Sequence, residues 1–361
     1  MALFSRRPKK DSDPKGEVPV DAQADVDEVQ QDVNAAVAAE QADDTDAEPV
    51  PHVPISVSTY GKPVPRPAPE PERLPKTPET APAPSESRPG MPDNTLLSTV
   101  LQEVPEEVDN AAILAVMRQA LQGTLYLRIL GDARAQAAAG EPLRLAISIV
   151  NDKKFLLAYT GAAALQAGLG DEAQSTSILA QPSQRVLRNV IDAGYDGIVF
   201  DHAGPGRRIV LPTGLIQRSL DQADPEFTIK NLLAGPRTDE TARAVVDALV
   251  ARGAWIAAGP RADGQGMGVA EARSAEGGRY LQVFSHPLEV LTLRREDQPM
   301  PLTAAQLGAA LKSESGLDGF LIDPAGPWIR IERAELDALI TIADAAEAVD
   351  AAADTDDDDK A

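Results

Sequence analysis

The stretch that decides the fold is GYDGIVFDHAGP at residues 194–205, because a second version, GLDGFLIDPAGP, lies at residues 316–327. Seven of the twelve positions are identical. In each version an apolar run stands between Asp-Gly and Ala-Gly-Pro, which is typical of a strand that enters a turn. A match of this density, at the same place between a helix and a strand, predicts a duplicated domain.

The sequence around both versions predicts the same succession of elements. Strands are predicted at residues 124–130, 143–150, 154–160 and 197–201 in the first copy and at 254–258, 269–273, 279–284 and 319–323 in the second. A helix precedes each dodecapeptide, at residues 183–193 and 302–313, and the final helix is predicted from Ala334 to about Ala345. This pattern predicts an α+β fold with two tandem duplicated domains, each a small mixed sheet with flanking helices.

Both ends of the chain differ in composition from this core. Residues 1–93 are rich in Asp, Glu, Gln, Ala and Ser, and 14 of the 30 prolines lie between Pro49 and Pro92. Such a segment buries too little apolar surface to offset the entropy of ordering it, so we expect a long disordered arm. Residues 346–361 are expected to form an acidic tail. The predicted domains therefore span residues 94–227 and 228–345.

Charge and composition exclude several classes of function. The formal net charge of −22 argues against nucleic-acid binding, which depends on cations that contact phosphates. The chain has no cysteine, so disulfides, thiolate metal sites and cysteine nucleophiles are excluded. No apolar stretch approaches the roughly 20 residues of a membrane helix. We expect a cytoplasmic protein without integral membrane association.

Two features of the arm leave alternatives open. Val26, Val29, Val33 and Val37 have helical spacing, which indicates either a docking helix or an accident of composition. The first ten residues combine Leu3 and Phe4 with four cations, a pattern that would allow peripheral membrane binding. One such signal is weak, because stable anchoring usually takes two.

Paired motifs in the two copies resemble a known family. Each copy has an aromatic and a hydroxyl residue at a strand end, Tyr159-Thr160 and Phe284-Ser285, and later an Asp-Gly, an apolar strand and an Ala-Gly turn. Over residues 107–345 this arrangement is similar to the SseB N-terminal domain of bacteria, which occurs in tandem in some actinobacterial proteins. Where that family commonly has Asn-Pro, this chain has Asp201-His202 and Asp323-Pro324. The resemblance implies no catalytic residues.

The paired aspartates Asp201 and Asp323 are the first candidates for chemistry. At a strand end, a carboxylate could bind a cation or act as a general base. The same position suits an aspartate that accepts backbone N–H groups within a turn. Because both copies keep the aspartate near Ala-Gly-Pro, the structural interpretation is favoured.

Other candidate sites are weaker. The three histidines, His52, His202 and His286, occupy non-equivalent positions, and their spacing fits no metal site. The glycine-rich residues 259–268 lack the Lys-Ser or Lys-Thr of a phosphate loop, and a strand follows them. The sequence therefore predicts no metal, no cofactor and no catalytic triad.

The leading hypothesis is a non-catalytic binding or regulatory protein whose partner is another protein. The candidate binding residues flank the two repeated turns and are Asp201, His202, Gly204, Asp323, Gly326 and Trp328. Exposure of Trp328 would make it the best anchor for a partner. The alternative is a hydrolase or transferase with a cation-assisted site between the domains that uses Asp201 and Asp323. The oligomeric state stays open.

Overall fold

A computed structural model describes residues 74–83, 85–169, 177–204, 208–260, 267–293 and 295–358, with side chains up to residue 349. These residues form two mixed sheets with flanking helices, which confirms the predicted α+β class. In these ranges no helix has the length and apolar character needed to span a bilayer. The predictions for residues 1–73, including the spaced valines and the basic decapeptide, lie outside the described residues.

The first sheet has the strand order β4-β1-β3-β5-β6, with β2 paired to β3. Strands β3 and β5 are parallel, and the other pairs are antiparallel. The strands are β1 Thr124–Ile129, β2 Ile147–Val150, β3 Lys153–Tyr159, β4 Ser177–Pro182, β5 Gly197–Phe200 and β6 Val210–Pro212. The accompanying helices are α1 Thr95–Gln102, α2 Asn110–Ala120, α3 Ala133–Ala138, α4 Ala162–Leu169, α5 Ser183–Asp192 and α6 Thr213–Asp221.

The second sheet has the order β11-β7-β10-β12-β13, with β8 paired to β7 and β9 paired to β10. Its parallel pair is β10 with β12. The strands are β7 Ala254–Pro260, β8 Met267–Val269, β9 Glu271–Arg273, β10 Arg279–Phe284, β11 Gln298–Leu302, β12 Gly319–Ile322 and β13 Ile329–Glu332. The helices are α7 Thr228–Ala234, α8 Thr241–Arg252, α9 Pro287–Thr292, α10 Ala304–Ser313 and α11 Asp337–Asp358, with a 3₁₀ turn at Arg333–Glu335.

The two sheets have the same order of corresponding strands, with β1, β3, β4, β5 and β6 matching β7, β10, β11, β12 and β13. Even a local irregularity recurs. Ala146 donates its N–H to Arg128 and accepts from Leu157, and Ala270 in the same way donates to Ala257 and accepts from Gln282. In each sheet a short segment, β2 in the first and β8 with β9 in the second, thus lies between two longer strands.

Both faces of each sheet are covered, which explains the nearly continuous apolar runs of the dodecapeptides. In β12, Phe320 and Ile322 face the larger core, while Leu321 faces a smaller cluster on the opposite side. The larger cores belong to different sheets. Phe227 packs in the first and Ile229 in the second, so the change between the two units falls at the start of α7.

Local capping residues fix the ends of several helices. Asp109 accepts a hydrogen bond from the N–H of Ala112 at the start of α2. Thr303 and Gln306 form a reciprocal capping box at the start of α10. These side chains satisfy N–H groups that would otherwise lack partners in the first helical turn.

Three of the differences between the structure and the sequence predictions bear on the argument below. Strand β11 was missed because it contains Pro299 and Pro301, residues that strands tolerate only at a sheet edge. Helix α11 does not end near Ala345 but continues through Asp358, into the predicted acidic tail. Residues 74–83 and 85–93, assigned to the disordered arm, have defined contacts with both units, which are described below.

Candidate functional site

The two aspartates of the first dodecapeptide hold the two ends of the neighbouring strand β3. The N–H of Lys154, at the start of β3, donates to Asp196 Oδ2 at 2.7 Å. The N–H of Thr160, just after β3, donates to Asp201 Oδ1 at 2.8 Å, and the Thr160 hydroxyl donates to Asp201 Oδ2 at 2.6 Å. Strand β5 therefore clamps β3 at both ends.

The second dodecapeptide repeats this clamp on β10. The N–H of Arg279 donates to Asp318 Oδ2 at 2.8 Å. The N–H and the hydroxyl of Ser285 donate to the two carboxylate oxygens of Asp323, at 2.7 and 2.5 Å. Asp201 and Asp323 both have positive φ, 44° and 51°, a conformation that aspartate tolerates better than most residues. The repeated aspartates are thus explained by backbone geometry.

This geometry limits what the two candidate carboxylates can do. Each already accepts two hydrogen bonds from one residue at the adjacent strand end. Burial raises the pKa of Asp201, although the hydrogen bonds from Thr160 oppose the shift. Burial, reinforced by the charge of Glu289, raises the pKa of Asp323 to about 7. A raised pKa makes a carboxylate less suited to hold a cation at neutral pH, and this applies most strongly to Asp323.

The surroundings of the two carboxylates differ. Asp93, from the segment before α1, is among the groups that raise the pKa of Asp201. The charged groups that act on Asp323 are Glu289 and Lys230. The structure therefore gives Asp201 and Asp323 separate electrostatic environments, rather than the common one that a shared cation site requires.

The glycines and aromatic residues of the predicted surface are placed around the two turns. Gly204 and Gly326 each donate an N–H to the carbonyl of the preceding aspartate, Asp201 or Asp323, at 2.7 and 2.8 Å. Trp328 is only 8 % exposed, so it is not the free anchor that the sequence analysis considered. It packs beside Leu74, which belongs to the segment before α1.

A buried ion cluster joins the two units. Glu289, from α9, is fully buried and accepts hydrogen bonds from Arg118 of α2, at 2.9 Å, and from Lys230 of α7. Arg118 also donates to the carbonyl of Gly326 at 3.2 Å. Burial alone would raise the pKa of Glu289, but Arg118 and Lys230 outweigh it and hold that pKa below the ordinary value. Glu289 is therefore a carboxylate that stays charged within the interface.

A cavity of about 390 Å³ lies beside this cluster, and its lining includes Lys230, Trp255, Ser285 and His286. His286 is 2 % exposed. Its Nδ1 accepts from the N–H of Leu288, and its Nε2 lies 2.9 Å from the carbonyl of Ser219. Burial lowers the pKa of His286 to about 4, so the ring is neutral at pH 7 and caps α9.

Beside the clamp of the first unit, two buried polar groups are left without such bonds within the part of the chain that the structure describes. The Tyr159 hydroxyl and His202 Nδ1 are buried and have no hydrogen-bond partner among the described residues. The two rings lie 5.7 Å apart between centroids. Burial raises the pKa of Tyr159 to about 12 and lowers that of His202, so both groups are neutral at pH 7.

A family model matches the second unit. Residues 230–338 match the SseB protein N-terminal domain. The matched SseB region runs from within α7 to the beginning of α11 and contains Lys230, His286, Glu289, Asp323 and Trp328. No curated protein and no solved structure matches the chain. The match supports the resemblance to the SseB family that the sequence motifs indicated.

The ion cluster within and beside the SseB region was not among the residues predicted from the sequence. One signal was available, since Glu289 interrupts the apolar run Pro-Leu-Glu-Val-Leu at residues 287–291. A charged residue in such a run is rarely buried unless it is paired. Among the residues with described side chains, no group of three or more His, Asp or Glu has the arrangement of a metal site.

Proposed function

We propose that this chain is a non-catalytic binding or regulatory protein built from two copies of an SseB-like module, at residues 94–227 and 228–345. One observation carries the proposal. In both units, the aspartate that was the best candidate for catalysis has its two carboxylate oxygens bonded to the hydroxyl residue of the adjacent strand end. The repeated aspartate clamp therefore has a structural role, and we assign the function to the surfaces that it supports.

The contact between the units favours one composite binding surface. Arg118, Lys230 and Glu289 are buried together where α2, α7 and α9 meet. Removal of one partner from such a cluster leaves a buried charge unpaired, which costs about 3–5 kcal/mol. Independent movement of the units would break the same contacts. The pair is thus suited to present a single surface to a partner protein.

The alternative, a hydrolase or transferase that uses Asp201 and Asp323 with a cation, has less support. It needs two ionised carboxylates that face a common space. Both groups instead have raised pKa values, and their electrostatic neighbours differ.

Quantitative affinity capture with the full chain tests the binding proposal. We expect one protein to be recovered at a near-stoichiometric level. Asp201→Asn and Asp323→Asn should recover it equally, because they alter the scaffold rather than the surface. Recovery should fall if a charge replaces an exposed apolar residue that contacts the partner, and Ile149→Lys of β2 and Met267→Lys of β8 test one such residue in each unit.

Two results would count against the binding proposal. Equal recovery of all proteins by the full chain and by an unrelated acidic protein of similar charge would contradict a specific partner. Turnover of a phosphate or acyl ester that is lost in both aspartate variants would favour the enzyme alternative.

We infer a cytoplasmic location from the lack of cysteine, which fits a reducing compartment. Peripheral membrane binding through Leu3 and Phe4 is the competing interpretation. Deletion of residues 1–10 should leave the fractionation of the protein unchanged. A shift from the membrane fraction to the soluble fraction would favour the competing interpretation.

A further inference from the structure

We propose that residues 74–79 are an intramolecular ligand, and that the groove they occupy beside Trp328 binds a short, bent, proline-containing peptide of a partner protein. The expected peptide has an apolar residue three positions before a Thr-Pro pair, as in Leu74-Pro75-Lys76-Thr77-Pro78-Glu79. This inference rests on the proposed binding function and names the class of partner.

The groove recognises the main chain of the segment. The Trp328 indole N–H donates to the carbonyl of Thr77 at 2.9 Å, and the Trp328 backbone N–H donates to that of Glu79 at 3.1 Å. Arg237 also donates to the Glu79 carbonyl, at 3.1 Å. Two carbonyls of the segment thus meet three donors of the second unit.

Two further contacts fix the position of the segment. The N–H of Leu74 donates to the carbonyl of Arg273 at 3.1 Å. The Thr77 hydroxyl donates to the carbonyl of Pro324 at 2.7 Å. The chain bends at residues 74, 76, 77 and 79. Prolines at positions 75 and 78 have no N–H to satisfy, so a proline-containing chain suits a groove that mostly offers donors.

Side chains add selectivity at two points. Leu74 packs on a small apolar cluster of Ala272, Tyr280, Leu321 and Trp328, on the sheet face opposite the main core. Gly326 approaches the segment closely, because a Cβ on it would lie 3.1 Å from the Thr77 Cβ. The groove therefore has an apolar pocket at one end and room for a threonine at the other.

Part of the segment is exposed to solvent, which leaves it open to exchange with another peptide. Leu74 is its apolar anchor and is half-buried, while Lys76, Pro78 and Glu79 are exposed. A tethered ligand has an effective concentration in the millimolar range, so it hides the groove from weak competitors without a large affinity of its own. A partner peptide must displace it.

The test uses the full chain with Trp255→Phe, which leaves Trp328 as the one tryptophan of the two in the sequence. Leu74→Ser with Thr77→Glu weakens the internal ligand. The probe is a fluorescent peptide of residues 72–81, followed by anisotropy. We expect the doubly substituted chain to bind the probe at least ten-fold more tightly than the parent, with a red shift of Trp328 emission and faster tryptic cleavage at Lys76.

Two controls sharpen the result. A probe that carries the same two substitutions should bind at least ten-fold more weakly than the unaltered probe. Arg237→Met in the doubly substituted chain should weaken binding of the unaltered probe several-fold, because one donor to the peptide carbonyl is lost.

Three outcomes would overturn the inference. Trp328 emission and cleavage at Lys76 could stay unchanged, which would mean that the named contacts do not hold the segment. The segment could be released without any gain in probe binding, which would make it a structural cover. The doubly substituted chain could also dimerise through exchange of the segment, which would assign the groove to a second copy. If captured cellular partners stay the same in each case, the proposed binding function stands while this inference fails.

Discussion

The two units share a clamp but differ in what closes the space next to it. In the second unit, His286 follows Ser285 and caps its own helix α9. In the first unit, Gly161 stands in the place of His286, and the N–H of Ala162 at the start of α4 donates to Asp93, at 3.3 Å. A Cβ on Gly161 would lie 1.9 Å from the Asp93 carboxylate. One unit supplies its own cap and the other borrows one from the segment before α1.

A second difference lies four positions after the hydroxyl residue. Glu289 occupies that position in the second unit and Ala164 in the first. The carboxylate draws Arg118 across from the first unit, so the contact between the units is asymmetric even though the sheets are alike. The repeated residues thus build the scaffold, whereas the residues that differ determine how the two units contact each other.

The largest expected effect comes from breaking this asymmetry. Glu289→Ala leaves Arg118 and Lys230 buried without a counter-ion, and we expect the free energy of unfolding to fall by about 3–5 kcal/mol. Glu347→Ala is the control, because Glu347 forms an exposed ion pair with Lys312 and its loss should cost about 0–1 kcal/mol. Urea unfolding compares them. Equal losses for the two variants would contradict a cluster that depends on burial.

The next effect depends on pH. The folded pKa of His286 is about 4, below the ordinary 6.5, so its stabilising contribution is full above pH 6.5 and is lost as the pH falls toward 4. His286→Asn keeps a side chain that can cap α9 but does not titrate. Between pH 7 and pH 4 we expect the parent to lose about 3 kcal/mol relative to this variant.

The difference between parent and variant is the quantity to measure, because Asp323 acts in the opposite direction. Its raised pKa stabilises the fold at low pH, and this contribution is lost as the pH rises through about 7. Asp323 is present in both proteins, so its effect cancels. A constant difference in unfolding free energy between pH 7 and pH 4 would show that the pKa of His286 in the folded protein is close to its ordinary value.

Substitution of the two clamp aspartates should cost different amounts of stability, because the aspartates differ in burial. Asp323→Ala removes the partner of a buried N–H and hydroxyl, and we expect a loss of about 2–3 kcal/mol. Asp201 is only half-buried, so Asp201→Ala should cost about 1–2 kcal/mol because water can replace the carboxylate. Thermal unfolding measures both. A larger loss of stability for Asp201→Ala than for Asp323→Ala would contradict this difference in burial.

The smallest effect concerns the borrowed cap. Gly161→Ala forces Asp93 away from α4, and the loss of a cap costs about 1 kcal/mol. Gly214→Ala is the matched control, since a Cβ there has open space in helix α6 and should stabilise the protein slightly. The same unfolding assay checks this pair. If the two substitutions have the same effect, Asp93 does not cap α4.

The helices and strands whose determinants are local could be predicted from the sequence. The dodecapeptides predicted strands β5 and β12, and the structural interpretation of Asp201 and Asp323 agrees with the hydrogen bonds at the two turns. The ion cluster could not be predicted from the sequence, because Arg118 lies 171 positions from Glu289 and no pattern between them indicates the contact. Residues 74–93 were missed for another reason. Their average composition indicates disorder, whereas their contacts depend on a few side chains such as Leu74.

The prolines of β11 have a consequence for folding. Proline cannot donate to a ladder, so the bonds to β7 come from the alternate residues and positions 299 and 301 face the open edge. A further strand cannot pair there. Neighbouring units with similar sheets are prone to exchange or misassemble strands during synthesis, and blocked edges counter this. Replacement of both prolines by valine should leave the native protein folded but lower its refolding yield at high concentration.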